Sequence, residues 1–154
     1  MNIKFKPTLT PEQMFKKGIF GRSYFRDIYC TINKKFVSHN DEFPFCKENS
    51  NSVYNAKENY YGVKCGTSLE FWQEKDWINP IDPYGWVQWY CRYFNGRRCE
   101  DDERQINRWI NAVSVEKGRM LRALKRYPNS LKYKQILLHW AVDPEMYEIE
   151  PHKV

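Results

Sequence analysis

No apolar run in this 154-residue chain approaches the roughly 18–20 residues that a membrane-spanning helix needs, so a membrane protein is not expected. The opening segment, Met1-Asn2-Ile3-Lys4-Phe5-Lys6-Pro7, has no apolar stretch behind its charges and does not read as a secretory signal. Leu, Ile and Val are scarce. They number 25, fewer than the 26 Phe, Trp and Tyr, so a folded core must be built largely from rings. With Phe included the count reaches 34 of 154 residues, just above the roughly 20% below which chains fail to bury enough apolar surface. One domain is the expectation at this length.

Cysteine is present but unpaired by pattern. Cys30, Cys46, Cys65, Cys91 and Cys99 form an odd set with no CxxC, which argues against a disulfide scaffold or structural zinc. Free thiols in a reducing compartment are the plain reading. Histidine occurs only at His39, His139 and His152, and no HExxH, GxSxG or phosphate-binding glycine loop is present. Gly18-Ile19-Phe20-Gly21-Arg22 is too short and generic to serve as one. No metal site and no cofactor are implied.

Acidic residues are outnumbered. Twenty-five Lys and Arg against 19 Asp and Glu give a formal charge of +6 and a pI near 9.0, a balance that favours polyanions as partners. The imbalance is sharpest over residues 117–134. Lys117, Arg119, Arg122, Lys125, Arg126, Lys132 and Lys134 lie there without one carboxylate. At helical spacing Arg119, Arg122 and Arg126 share a face beside Lys125, away from Met120 and Leu124. Five phosphates held there would give a salt slope of about −4.5 in log affinity. A solvated surface is the plain alternative. Near the N-terminus Lys16, Lys17, Arg22, Arg26, Lys34 and Lys35 interleave with Phe20, Tyr24, Phe25 and Tyr29, a pattern suited either to base stacking or to a core.

Local signals set the organisation. Thr10-Pro11-Glu12-Gln13 opens a short helix that stops at Gly18. Ile28, Cys30 and Ile32 alternate with polar neighbours as a short strand. Residues 38–66 read as a long surface loop anchored by Phe43, Phe45, Tyr60 and Tyr61. Thr67 and Glu70 form a second capping box, and Asp82-Pro83 is expected to cap a helix ending at Asn95-Gly96. On that helix Trp86, Trp89, Tyr90, Tyr93 and Phe94 fall on one arc opposite Gln88 and Arg92, the pattern of a buried stripe. A further helix starts near Glu100, with Asp101, Asp102 and Glu103 against its positive pole. After Gly118 another runs to Tyr127-Pro128, and Ser130 caps a last one through Trp140. The fold class is therefore mainly α: a single compact helical domain over 1–154, with a long irregular N-terminal half and room for one short β hairpin. Its compact helical part is expected at approximately 67–143, its irregular part at 19–66 and a mobile acidic tail at 144–154.

A second group of cations follows the aromatic helix. Arg97 and Arg98 lie just past its end, and Arg104 and Arg108 recur one turn apart on the next helix. Planar guanidinium forks suit phosphate, although Glu100, Asp101 and Glu103 are close enough in sequence to claim them as ion pairs. His139, flanked by Leu137-Leu138 and Trp140, reads as a packed, hydrogen-bonded histidine rather than a base.

The run Gly85-Trp86-Val87-Gln88-Trp89-Tyr90-Cys91-Arg92-Tyr93, then Gly96-Arg97-Arg98, then Asp102-Glu103-Arg104-Gln105-Ile106 and Arg108-Trp109, resembles an uncharacterised family of small proteins. Large DNA viruses and some plants, fungi and bacteria encode its members. The likeness extends to Lys17-Gly18-Ile19-Phe20-Gly21 and His139-Trp140-Ala141, and so covers most of the chain. The family carries a second Gly where this chain has Arg22, and Phe where it has Val87. The resemblance implies kinship and no reaction. A composition rich in Lys, Asn and Ile with only four Ala fits an AT-rich coding genome, which agrees with a viral origin.

The leading expectation is a small intracellular module, of cytoplasm or nucleus and including a virus-infected host cell, that binds DNA or RNA chiefly through phosphates. Arg119, Arg122, Lys125 and Arg126 would supply charge, with Arg97, Arg98, Arg104 and Arg108 lining a neighbouring aromatic-walled pocket. The alternatives are a metal-dependent enzyme on nucleic acid or nucleotides, using Asp101, Asp102, Glu103 or His139, and a virion or scaffold protein with an acidic protein partner.

Overall fold

A computed structural model describes residues 4–66, 69–75 and 77–147, with only the backbone at Leu69 and Glu70. The Thr67–Glu70 capping box and the tail beyond Tyr147 lie outside the described residues. The protein is mainly helical, with six α-helices and one two-stranded antiparallel hairpin among the described residues.

The first helix, α1 (Pro11–Lys17), begins as its sequence dictates. Thr10 Oγ1 accepts from the Gln13 N–H, and Gln13 Oε1 accepts from the Thr10 N–H. Gly18 ends it at φ 114°, where an added Cβ would run into the Glu58 carbonyl oxygen. The chain crosses itself there, with the Tyr60 N–H donating to Gly18 O at 2.9 Å.

Strands β1 (Ile28–Cys30) and β2 (Lys35–Val37) pair with Tyr29 opposite Phe36. Ile28 and Cys30 are buried while Tyr29 and Phe36 face solvent; the alternation expected through Ile32 stops at Cys30, because the hairpin turn begins at Thr31 and leaves Ile32 exposed. The long segment after the hairpin is strapped to residues 18–25 by backbone bonds, among them Phe25 N–H to Asn49 O and Asn55 N–H to Gly21 O. Phe43 and Phe45 stack 5.5 Å apart and lean on Phe25, so this segment joins the core. Leu9, Met14, Phe15, Ile19, Tyr24 and Phe25 belong to the same cluster as the helices that follow.

Helices α2 (Leu69–Glu74), α3 (Trp86–Phe94), α4 (Asp102–Val113), α5 (Arg119–Arg126) and α6 (Leu131–His139) complete the fold. The start of α3 differs from expectation. Gly85, at φ 102°, occupies the position before it, and Asp82 makes no cap because two arginines hold its carboxylate. In place of a cap, Gln88 Oε1 accepts from the Tyr84 N–H at 3.0 Å. The single buried arc is also too narrow a description: Trp86 through Cys91 are all buried, Gln88 included, whereas Phe94 is exposed. This is the central helix, packed on every side. Phe5 sets its ring within 5.2–6.4 Å of Trp86, Trp89, Tyr90, Tyr93 and Trp109.

Between α4 and α5 the turn is tight. A Cβ at Gly118 would lie 2.5 Å from the Val113 carbonyl carbon and 2.6 Å from Ser114 N, so the position admits little but glycine. The helix α5 then packs against α4 and α6 through Leu121 and Leu124. Ser130 caps α6 by accepting from the Tyr133 N–H.

Candidate nucleic-acid interface

The eight cations singled out by sequence fall into two groups. Arg97 reaches back to Asp82 with two parallel bonds of 2.7 Å. Arg92 shares the same carboxylate at 2.8 Å and grips Glu42 with two more. Arg104 holds Asp101 in a two-pronged bond of 2.6 and 3.0 Å. Arg98 is exposed, but its fork is laid over the Tyr93 ring at 3.7 Å and donates to the Tyr93 and Arg97 carbonyls. Arg108 has no carboxylate on it among the described residues: its Nη1 donates to Gln105 Oε1 and Trp77 O. The structure does not gather these four around one pocket. Arg97 borders a cleft with Glu42 and Arg92, whereas Arg108 borders a separate aromatic cavity.

The second group stands differently. Arg119, Arg122, Lys125 and Arg126 are all exposed, with Leu121 and Leu124 buried on the opposite side of α5. None of the four makes an ion pair or side-chain hydrogen bond among the described residues. Arg126 lies 6.0 Å from the centroid of the exposed Tyr127 ring, which is nearly parallel to that of Tyr133. Lys117 and Lys132 are exposed beside this helix. Of the interleaved N-terminal set, Tyr24 and Phe25 are core residues and Phe20 packs against the core.

The aromatic cavity measures about 290 Å³ and is lined by Phe20, Tyr24, Trp72, Trp77, Trp86, Trp140, Arg108, Arg119 and His139 among others. A larger one of about 780 Å³, bordered by Cys65, Tyr54 and Arg26, shares Phe20, Tyr24 and Trp72 with it. Phe20 is the wedge between them. It leads three consecutive residues at positive φ, Phe20, Gly21 and Arg22, two of them not glycine. The Phe20 N–H donates to His139 Nε2 at 3.3 Å, the Gly21 N–H donates to Asn59 Oδ1 at 2.8 Å, and the Phe20 ring stacks on the imidazole at 4.1 Å.

His139 is therefore a packed histidine. Its Nε2 receives the Phe20 N–H and the Gln135 amide, which leaves the proton on Nδ1, 3.6 Å from Cys65 Sγ. Burial pushes the imidazole down to about 3 and the thiol up to about 12. Both are neutral at physiological pH, so the pair is not a thiolate–imidazolium nucleophile. A pH dependence follows. Below the ordinary histidine value of about 6.5 the unfolded chain binds a proton that the folded chain refuses, so stability falls with pH by about 1.4 kcal/mol per unit. By pH 5 this residue should cost about 2 kcal/mol relative to pH 7.5. His139→Gln keeps an acceptor for the Phe20 N–H, and its urea midpoint should show a flatter decline; equal declines in both proteins would show that His139 is protonated when folded.

Of the three acids at the start of α4, Asp101 and Asp102 are already occupied, and Glu103 is exposed. Asp101 is shared by Arg104 and Gln105. Asp102 accepts from the Cys99 N–H and the Trp89 indole; burial works against its charge, yet these donors hold it below the usual carboxylate range. Among the described residues no group of three or more His, Cys, Asp or Glu side chains is placed to hold a metal ion. Nor is any helix there long and apolar enough to cross a membrane. Trp77, Phe20 and Trp72 were not singled out as cavity residues by sequence, since they reach it from separate segments. The signal present in the sequence is the run of tryptophans at 72, 77, 86 and 89. No family model, no curated protein and no solved structure matches this chain.

Proposed function

We propose that this protein binds nucleic acid, with Arg119, Arg122, Lys125 and Arg126 holding backbone phosphates. The observation that carries this reading is the contrast between the two groups of cations. Arg97 and Arg104 are neutralised by buried carboxylates, whereas the four on α5 face outward with no acidic partner among the described residues. Guanidinium forks match phosphate in a bidentate way. The run from Arg119 to Arg126 spans about 10 Å of helix, the axial reach of about three phosphates of one strand. That is fewer than the five the charge count allowed. The exposed Tyr127 ring beside Arg126 offers a stacking surface and favours an unpaired strand.

The salt dependence is the test. With about three phosphates engaged, the affinity for a labelled mixed-sequence strand should fall about 20- to 40-fold between 50 and 200 mM salt. Fluorescence anisotropy with DNA and RNA, single- and double-stranded, measures it. Binding insensitive to salt, or no binding, would remove the phosphate role of this face.

A further inference from the structure

The aromatic cavity and the cationic face meet at Arg119, which lies on α5 and also lines the cavity. Arg108, at the same cavity, is set 5.9 Å from the Trp77 ring centroid and 5.5 Å from that of Trp140. Its Nη1 is engaged, but its Nε and Nη2 make no hydrogen bond among the described residues. The carboxylate of Asp101, two turns earlier, is taken by Arg104 and Gln105. Burial and the neighbouring Arg104 bring Arg108 down to about 10, which still leaves it charged at neutral pH. With no counter-ion among the described residues, this guanidinium keeps unused donors, and an anion entering the cavity would pair with them.

Two cations without acidic partners among the described residues, at a ring-lined cavity of about 290 Å³, define the complement: one flat heteroaromatic ring carrying an anionic group. On the reading that α5 holds the strand, we infer that this cavity takes one unstacked nucleotide, its base against the rings and its phosphate on Arg108 and Arg119. The positive-φ turn at Phe20, held by His139 and Asn59, fixes one wall in advance. Binding energy then goes to the ligand rather than to ordering the site.

Tryptophan fluorescence of the full chain, titrated with adenosine 5′-monophosphate, adenosine and ribose 5-phosphate, tests this. The monophosphate should quench saturably, and each half-molecule should bind at least about tenfold more weakly, since rings and cations contribute separately. Arg108→Met keeps the stem but takes the donor from the buried Gln105 Oε1, so it should lower the melting temperature by a few degrees, stay folded at the assay temperature, and lose about tenfold or more in monophosphate affinity. Arg119→Gln, at an exposed site, should weaken the same ligand without affecting folding. Strand binding by anisotropy is measured on the same samples. Absent quenching, or quenching that Arg108→Met and Arg119→Gln leave unchanged, overturns the nucleotide cavity even where strand binding persists. Absent strand binding by the unaltered protein, with intact monophosphate quenching, overturns instead the role of α5.

Discussion

Replacing Arg119, Arg122, Lys125 and Arg126 together by Gln is expected to reduce strand affinity by about 10²–10³-fold at 50 mM salt and to bring the salt slope close to zero. The size follows from counterion release. About three phosphates contribute roughly 0.7–0.9 each to the slope, and that term is largest when salt is low. Folding should be untouched, because these side chains are exposed while Leu121 and Leu124 keep α5 on the core. Gln is also a good helix former, and removing like charges three and four residues apart eases their repulsion. The formal charge drops from +6 to +2, so a control is needed that separates local from overall charge. Neutralising four exposed lysines elsewhere, Lys16, Lys34, Lys35 and Lys57, makes the same change in net charge and should cost far less affinity.

The second large effect is on stability. Asp82 is fully buried, and its two oxygens take three hydrogen bonds from Arg92 and Arg97. Arg92 carries the network on to Glu42 and the Ile81 carbonyl, so one carboxylate ties the entry and exit of α3 to the segment after the hairpin. Asp82→Ala leaves two half-buried guanidinium groups without their shared partner. Breaking such a pair costs about 3–5 kcal/mol, which at about 2–4 °C per kcal/mol lowers the melting temperature by about 6–20 °C. Glu42→Gln removes only the outer, more exposed partner and should cost less than about 1 kcal/mol. Thermal melts of both variants check the difference, about 6–20 °C for Asp82→Ala against a few degrees at most for Glu42→Gln. A mild Asp82→Ala would mean that water readily replaces the carboxylate.

How far the fold was legible in the sequence depended on range. The caps at Thr10 and Ser130, the stops at Gly18 and Pro128 and the strand at Ile28–Cys30 act across a few residues, and each formed as read, except that the strand stops before Ile32. Asp82 was misread as a cap because local grammar allows Asp-Pro that role; its partners lie 10 and 15 residues away, and only the fold supplies them. The helix α3 defeated the one-sided pattern because a helix packed all round must bury polar groups too, and Gln88 does so by bonding to the Tyr84 N–H. The exposed face of α5 was visible because its Leu and Arg obey helical spacing with no nearby acid to compete. The aromatic cavity was not. Its walls come from segments as far apart as Phe20 and Trp140, and no periodicity links them.

Arginine modification by phenylglyoxal, mapped by mass spectrometry with and without a saturating strand, reads the difference between free and clasped guanidinium groups directly. Arg119, Arg122 and Arg126 should react quickly in the free protein and be protected in the complex, while Arg97 and Arg104, held by Asp82 and Asp101, react slowly in both. If the arginines of α5 remain fully reactive when the strand is bound, phosphates do not lie on that helix, and its positive face is only a solvated surface.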